Sequence, residues 1–172
     1  PGETIVERDI FAVLDHDIDV VVELIGGVEV ARELILKAIK NKKHVVTANK
    51  AVIYHHGDEI FQSARDHGVR VLYESSVCAG TPIIKLLKEE LAANKVSKIS
   101  GMLNGTSNFI LSNMEEGGDF DSTLKLAQEE GYAEPDPTFD IEGMDAAHKI
   151  GILSSLAFGT SLPPLDFHIE GI

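Results

Sequence analysis

Apolar residues run without a break through Val20-Val21-Val22, continue past Glu23 into Leu24-Ile25, and stop at Gly26-Gly27. A short continuous apolar run reads as a strand buried on both faces. From Val28 to Lys42 the pattern changes: Ala31, Leu34, Ile35, Ala38 and Ile39 recur three and four residues apart, as on one face of an amphipathic helix. His44-Val45-Val46-Thr47-Ala48 is the next strand. Strand, glycine turn, helix and strand in that order make a βαβ unit, which implies parallel pairing through a right-handed crossover. A second helix is expected over about Asp58 to His67, with Ile60, Phe61 and Ala64 inward and Gly68 as its stop. Val69 to Glu74 reads as a third strand.

Beyond residue 75 the βαβ spacing ends. Ser75 to Gly80 is a loop of small residues, and Thr81-Pro82 reads as the cap and first residue of a helix reaching about Ala93. Val96 to Leu103 has the pattern of a strand. Asn104 to Asn108 is a polar turn before a short helix, Phe109 to Glu115. A further helix is expected over about Ser122 to Glu130, ended by Gly131. An acidic, proline-stiffened loop follows, and then a helix apolar on nearly every side from Ile150 to Phe158. A helix apolar all round is a buried one. Leu165 to Ile172 reads as a last strand. These patterns amount to half of a doubly wound sheet followed by an α+β domain, with the boundary near residue 75.

Composition narrows the function classes. The 172 residues are 44% hydrophobic and 25% charged, with a formal net charge of −13. Acidity of that size argues against a nucleic-acid partner and leaves a small zwitterionic ligand open. No apolar run is long enough to span a bilayer, so no membrane role is expected. The single cysteine cannot form an internal disulfide, which fits a reducing, cytoplasmic compartment. The chain opens on Pro1 in mid-context, so it is expected to be a piece of something longer.

Four polar stretches fall where loops meet the ends of elements. Asn49-Lys50 lies past the carboxyl end of the second strand, where open α/β sheets bind ligands; ordinary loop polarity accounts for it equally well. The loop from Glu74 to Thr81 offers backbone carbonyls to a cation, although on the residues alone a tight connection is the stronger reading. Asn104 to Asn108 reads more readily as a turn and helix cap than as a binding loop. The stretch from Glu134 to Lys149 holds Glu134, Asp136, Asp140, Asp145 and Lys149 beside two prolines. Asp145 and Lys149 are four residues apart and share a helix face at the mouth of a core. A solvated ion pair and a working site are both consistent with that spacing. Cys78, just before a helix start, is a nucleophile candidate, yet a lone cysteine is more often a small buried hydrophobe. The seven histidines do not cluster as zinc ligands. Gly26-Gly27 is only a glycine pair, and G-x-G-x-x-G is absent.

With these residues laid out, the chain resembles homoserine dehydrogenase over essentially its whole length. The matching segments are VVVELIGG at 20–27, HVVTANKAV at 44–52, YESSVCAGTPII at 73–84, GMLNGTSNFIL at 101–111 and GYAEPDPTFDIEGMDAAHK at 131–149. The resemblance implies an α/β protein, with residues 1–75 the C-terminal part of a Rossmann-type nucleotide-binding domain. Residues 76–172 would then be an α+β catalytic and dimerisation domain, its sheet covered by helices. It implies NAD(P)-dependent interconversion of L-homoserine and L-aspartate 4-semialdehyde, a step in aspartate-derived amino-acid biosynthesis. Lys149 matches the proton donor and Asp145 its neighbouring carboxylate. Glu134 matches the carboxylate that binds the substrate's amino end, with Tyr132, Asp140, Gly105 and Thr106 as further substrate contacts. Lys50 matches a lysine near nicotinamide and substrate, and Gly131 a cofactor contact. Glu74, Val77, Ala79 and Thr81 match a monovalent-cation site for which sodium is the usual ion. A homodimer is expected.

The chain departs from the family pattern at both ends: the N-terminal glycine-rich turn and the C-terminal return segment are absent. The isolated chain is therefore expected to bind cofactor poorly and to turn over little. Two other functions compete: a thioester-forming aldehyde dehydrogenase using Cys78, and an acidic assembly module that kept the fold and lost catalysis. The presence of Lys50, Glu134, Asp145 and Lys149 together argues against the second.

Overall fold

The computed structural model describes residues 4–163 and 168–172. It divides into two compact units. One runs to Ala92 and includes Ser161–Pro163; the other runs Ala93–Thr160 and includes residues 168–172.

The first unit is the βαβ pattern made real. β1 (Val20–Glu23), α1 (Glu29–Lys40), β2 (His44–Thr47), α2 (Lys50–His67) and β3 (Val71–Leu72) follow in order. The strands are parallel and lie in the order β1-β2-β3, with Val22 opposite Val46 and Val46 opposite Leu72. α1 packs on β1 and β2 and against α2, burying Ala31, Leu34, Ile35, Ala38 and Ile39. Val21, Val45 and Val71 form the buried face of the sheet. The opposite face is also apolar, yet Val20, Val22 and Leu72 stay 47%, 60% and 55% exposed. The strand over 20–25 is thus covered on one face, where the sequence pattern called for two.

α2 begins at Lys50, eight residues before the expected start. Asn49 caps it, its Oδ1 accepting the Val52 N–H at 3.1 Å. The helix runs through Gly57, a residue type that weakens helix interiors. Gly57 is buried mid-helix, where an added Cβ would come within 2.9 Å of Leu162 Cδ1 and 3.2 Å of the Phe61 ring. Close packing, not a turn, asks for glycine there. The helix expected from Thr81 is short: α3 (Ile83–Lys85) continues as a single π-helical turn, Leu86–Glu90, with Pro82 at the cap position and no capping by Thr81.

The second unit is helical: α4 (Gly105–Glu115), α5 (Phe120–Glu129), α6 (Thr138–Ile141) and α7 (Met144–Phe158). Ile110, Ala127 and Ala133 form its buried centre, with Phe109, Phe120, Leu124 and Ile141 packed around them. Two corrections follow. Val96–Leu103 is extended but joins no sheet among the described residues, because a strand needs a partner and none of the neighbouring segments supplies one. Of the strand expected over 165–172, residues 165–167 lie outside the described residues. Residues 168–172 pair with no strand; the Ile172 N–H bonds to the Ile141 carbonyl at the end of α6. α7 buries Asp145, Ala147 and His148 in its first turns, but from Ile150 to Phe158 only Gly151, Ile152 and Leu153 are buried and Phe158 is exposed, so its apolar second half is not enclosed all round.

Candidate functional site

α7 starts after Gly143, whose φ of 80° turns the chain sharply out of α6. The turn brings the first two turns of α7 against the start of α4. Asp145 and Lys149 then meet as the spacing predicts, Nζ to Oδ2 at 2.7 Å, their side chains only 5% and 17% exposed. The Lys149 ammonium also donates to the Leu103 carbonyl at 2.8 Å. A buried ion pair of this kind needs further hydrogen bonds to offset desolvation, and α4 supplies them. Asn104 Nδ2 donates to Asp145 Oδ2 at 3.0 Å and to Asp140 Oδ1 at 2.7 Å. Its Oδ1 accepts the Ser107 N–H at 2.7 Å and so caps α4. Thr106 Oγ1 lies 3.1 Å from Asp140 Oδ2 and 2.6 Å from the Tyr132 carbonyl.

Lys149, Asp145, Asp140 and Thr106 therefore form one hydrogen-bonded cluster within the second unit, with Gly105 as the first residue of α4. Tyr132 joins through its carbonyl, while its ring stacks on Phe109 at 4.7 Å. Gly131 ends α5 with φ 80°. Glu134 is exposed on the following loop, and its carbonyl accepts a bond from Gln128. Lys50 belongs to the first unit, at the start of α2.

Asn104 was legible only as a cap. Two buried acids on nearby segments were the signal that a donor had to reach them. Glu23 was also passed over. Buried at the end of β1, it accepts Thr47 Oγ1 at 2.6 Å and the Ile25 N–H at 2.9 Å. Thr47 in turn accepts the Asn49 N–H, and Asn49 Nδ2 holds the Gly27 carbonyl at 2.7 Å. A carboxylate inside an apolar run was the visible sign. This network fixes the polar loops at the carboxyl ends of β1 and β2.

The loop from Glu74 is tied to α3: the Glu74 carboxylate accepts the Ile84 and Lys85 N–H groups at 2.7 and 2.9 Å. The Thr81 carbonyl accepts the Ile83 N–H, and the Cys78 carbonyl accepts the Thr81 N–H. Cys78 is half-buried, and among the described residues its thiol has no hydrogen-bonded base. A cavity of about 430 Å³ opens beside the acidic cluster, lined by Asn104 and Asp140 but chiefly by apolar groups such as Met102, Leu111, Ile150 and Ile172. Such a lining does not suit a zwitterion, and Lys149 does not reach it.

A parallel βαβ sheet with polar loops fixed at its carboxyl ends, carried with a helical unit that buries a lysine–carboxylate pair, defines an α/β protein of the Rossmann class. The family model for homoserine dehydrogenase matches residues 82–172, and that for the homoserine dehydrogenase NAD-binding domain matches residues 2–74. The chain belongs to the homoserine dehydrogenase family. It is 56% identical to the homoserine dehydrogenase of Pseudomonas aeruginosa over 99% of this chain and 40% of that protein. The crystal structure of a homoserine dehydrogenase from Thiobacillus denitrificans superposes with a TM-score of 0.89 at 55% identity, over 96% of this chain and 39% of that one. A hyperthermophilic archaeal homoserine dehydrogenase in complex with NADPH matches with a TM-score of 0.83 at 30% identity, over 91% of this chain and 49% of that one. The chain thus spans about 40% of the length of the curated relatives it matches. Among the described residues no helix is long and apolar enough to cross a membrane.

Proposed function

We propose that this chain carries the proton-transfer centre of a homoserine dehydrogenase, which interconverts L-homoserine and L-aspartate 4-semialdehyde with NAD(P). The observation that carries the reading is the state of the Lys149 ammonium. Two of its three N–H groups are spent on Asp145 and the Leu103 carbonyl; among the described residues the third has no acceptor, so it is available to a substrate oxygen. When bound, the nicotinamide supplies or accepts the hydride. As an aldehyde carbon gains hydride, its oxygen gains charge, and Lys149 stabilises that charge and delivers the proton. In the oxidative direction Lys149 must first be the neutral amine; it then takes the hydroxyl proton, and Asp145 holds the resulting ammonium. In this reading Glu134 binds the substrate ammonium. Thr106, Asp140, Gly105 and Tyr132 complete its surroundings, and Lys50 and Gly131 contact the cofactor. The polar carboxyl ends of β1 and β2 fit the edge of a dinucleotide.

Residues 1–75 serve as the C-terminal part of the nucleotide-binding domain and 76–172 as the catalytic and dimerisation domain. The loop of Glu74, Val77, Ala79 and Thr81 holds a monovalent cation, sodium being the usual one. Its residues fit: the Val77 and Ala79 carbonyls accept no hydrogen bond among the described residues, and each Glu74 oxygen keeps a lone pair beyond its amide. Bound there, the ion would brace the loop without taking part in hydride transfer. The assembly is a homodimer; the extended Val96–Leu103 segment, with Met102 exposed, offers a second copy an edge to pair with.

A chimera in which this chain replaces the matching segment of the Pseudomonas aeruginosa relative tests the reading. Nicotinamide absorbance should report homoserine oxidation by the chimera. Lys149→Ala should lower kcat by roughly 10²–10⁴-fold with little change in the KM for cofactor. A folded chimera with no turnover, or a Lys149→Ala chimera as fast as its parent, overturns it.

A further inference from the structure

We propose that Asn104 is the positioning residue of this centre: one side-chain amide spans Asp140 and Asp145, fixes their separation, and holds Asp145 Oδ2 against the Lys149 ammonium. The inference deepens the dehydrogenase reading and rests on it only for what the ion pair does.

Asn104 is 6% exposed, and its amide works on groups of the interior. Both Nδ2 donors are used, on Asp140 at 2.7 Å and on Asp145 at 3.0 Å, and Oδ1 is used on the Ser107 N–H. The carboxylates come from different elements, α6 and α7, and Asn104 from a third, the start of α4. A carboxylate on a helix surface can swing between rotamers, and a lysine has four rotatable bonds to follow it. With Nδ2 on the same oxygen that meets Nζ, Asp145 has one orientation that satisfies both donors. The ammonium is then fixed by Oδ2 and by the Leu103 carbonyl, the residue directly before Asn104 in the chain. The α4 cap, one of the lysine's two acceptors and the amide that holds the other are in this way built on one short segment, Leu103-Asn104. The amide also keeps two negative charges apart and partly neutralised, since either carboxylate alone would repel the other.

Charged groups that face Asp145 include Lys149 on its own helix and, through the Asn104 amide, Asp140 on α6; His148 lies on the same helix, edge-on to Phe139 at 5.3 Å. Substitutions at Asn104 can separate capping from positioning. Serine and aspartate both cap helices well. Asn104→Ser therefore keeps an acceptor for Ser107 and replaces the two N–H donors by a single hydroxyl on a shorter side chain that cannot span both carboxylates, and Asn104→Asp removes both donors while adding a third carboxylate.

The test follows the Asp145 side-chain carboxyl carbon by NMR in the isotopically labelled 172-residue chain as pH is varied. Relative to the unsubstituted chain, its midpoint should rise by about half a unit or more in Asn104→Ser, and further in Asn104→Asp, because a donor to the charged form has been lost and then a like charge added. A residue that only caps α4 would leave the Asn104→Ser midpoint where it was, and that result overturns the proposal. A second measurement needs no substitution. Scalar couplings from Asn104 Nδ2 to the carboxyl carbons of Asp140 and Asp145 should be present in the unsubstituted chain, and the absence of either overturns the bridge. Neither readout depends on turnover, so an inactive chimera would count against the dehydrogenase reading while leaving the positioning role standing.

Discussion

Tyr73 shows how far a single side chain departs from its solution chemistry. It follows β3, is 3% exposed, and its ring lies 4.9 Å from that of Phe61, with the Lys88 ammonium 5.3 Å over its face. Burial first, and the neighbouring Glu74 charge second, push its pKa up from 10.0 to about 12. The folded state thus holds the phenolic proton where the unfolded chain has lost it. The associated stability is complete below pH 10, declines as pH rises towards 12, and is on the order of 2–3 kcal/mol. Burial raises the pKa of Tyr54 as well, so ultraviolet titration of tyrosinate should show two late-titrating tyrosines, of which Tyr73→Phe removes one. The variant should also lose less stability over that window; a tyrosine titrating near 10 at this position would contradict the burial argument. At the same scale, the pairing of Lys149 with Asp145 was legible from spacing alone, though not what the pair does. Asn104 was not, because which acids an amide reaches depends on how three separate segments fold together.

At the scale of elements, the loop from Glu74 to Thr81 carries the sharpest expectation. A ligand that binds only the folded chain raises stability in proportion to the logarithm of its concentration over its dissociation constant. The unfolding midpoint should therefore be higher in sodium chloride than in tetramethylammonium chloride at equal ionic strength, and Glu74→Gln should remove the difference. Equal midpoints in the two salts would sink the cation site. Elements were readable where one local rule decided them. β1, α1 and β2 follow from an apolar run, a 3.6-residue period and a glycine pair. α2 was read short because Gly57 serves packing against Leu162 and Phe61, a contact distant in sequence. Val96–Leu103 was read as a strand because its pattern is one, while pairing is a property of two segments. The helix starts after Asn49 and Asn104 were missed by eight and four residues, although both are strong capping types.

At the scale of the whole molecule, two surfaces set its behaviour: the extended segment over 96–103 and the bare sheet face of Val20, Val22 and Leu72. The proposed homodimer uses the first. The second has consequences for how the protein behaves in a tube. Parallel sheets are ordinarily covered on both faces, and this one exposes a row that the register Val22–Val46–Leu72 aligns across three strands. Against it stands a net charge of −13, which keeps copies apart only over a Debye length that shrinks from about 30 Å at 0.01 M salt to about 10 Å at 0.1 M. Salt should accordingly make this chain stickier, the opposite of a protein whose copies are joined by ion pairs. Light scattering should rise on going from low to moderate salt, and Val22→Lys with Leu72→Lys should abolish the rise; particles whose size is indifferent to salt would refute this. The same row makes the chain a natural hydrophobic-interaction ligand, retained on a phenyl matrix in high salt and released by simple dilution.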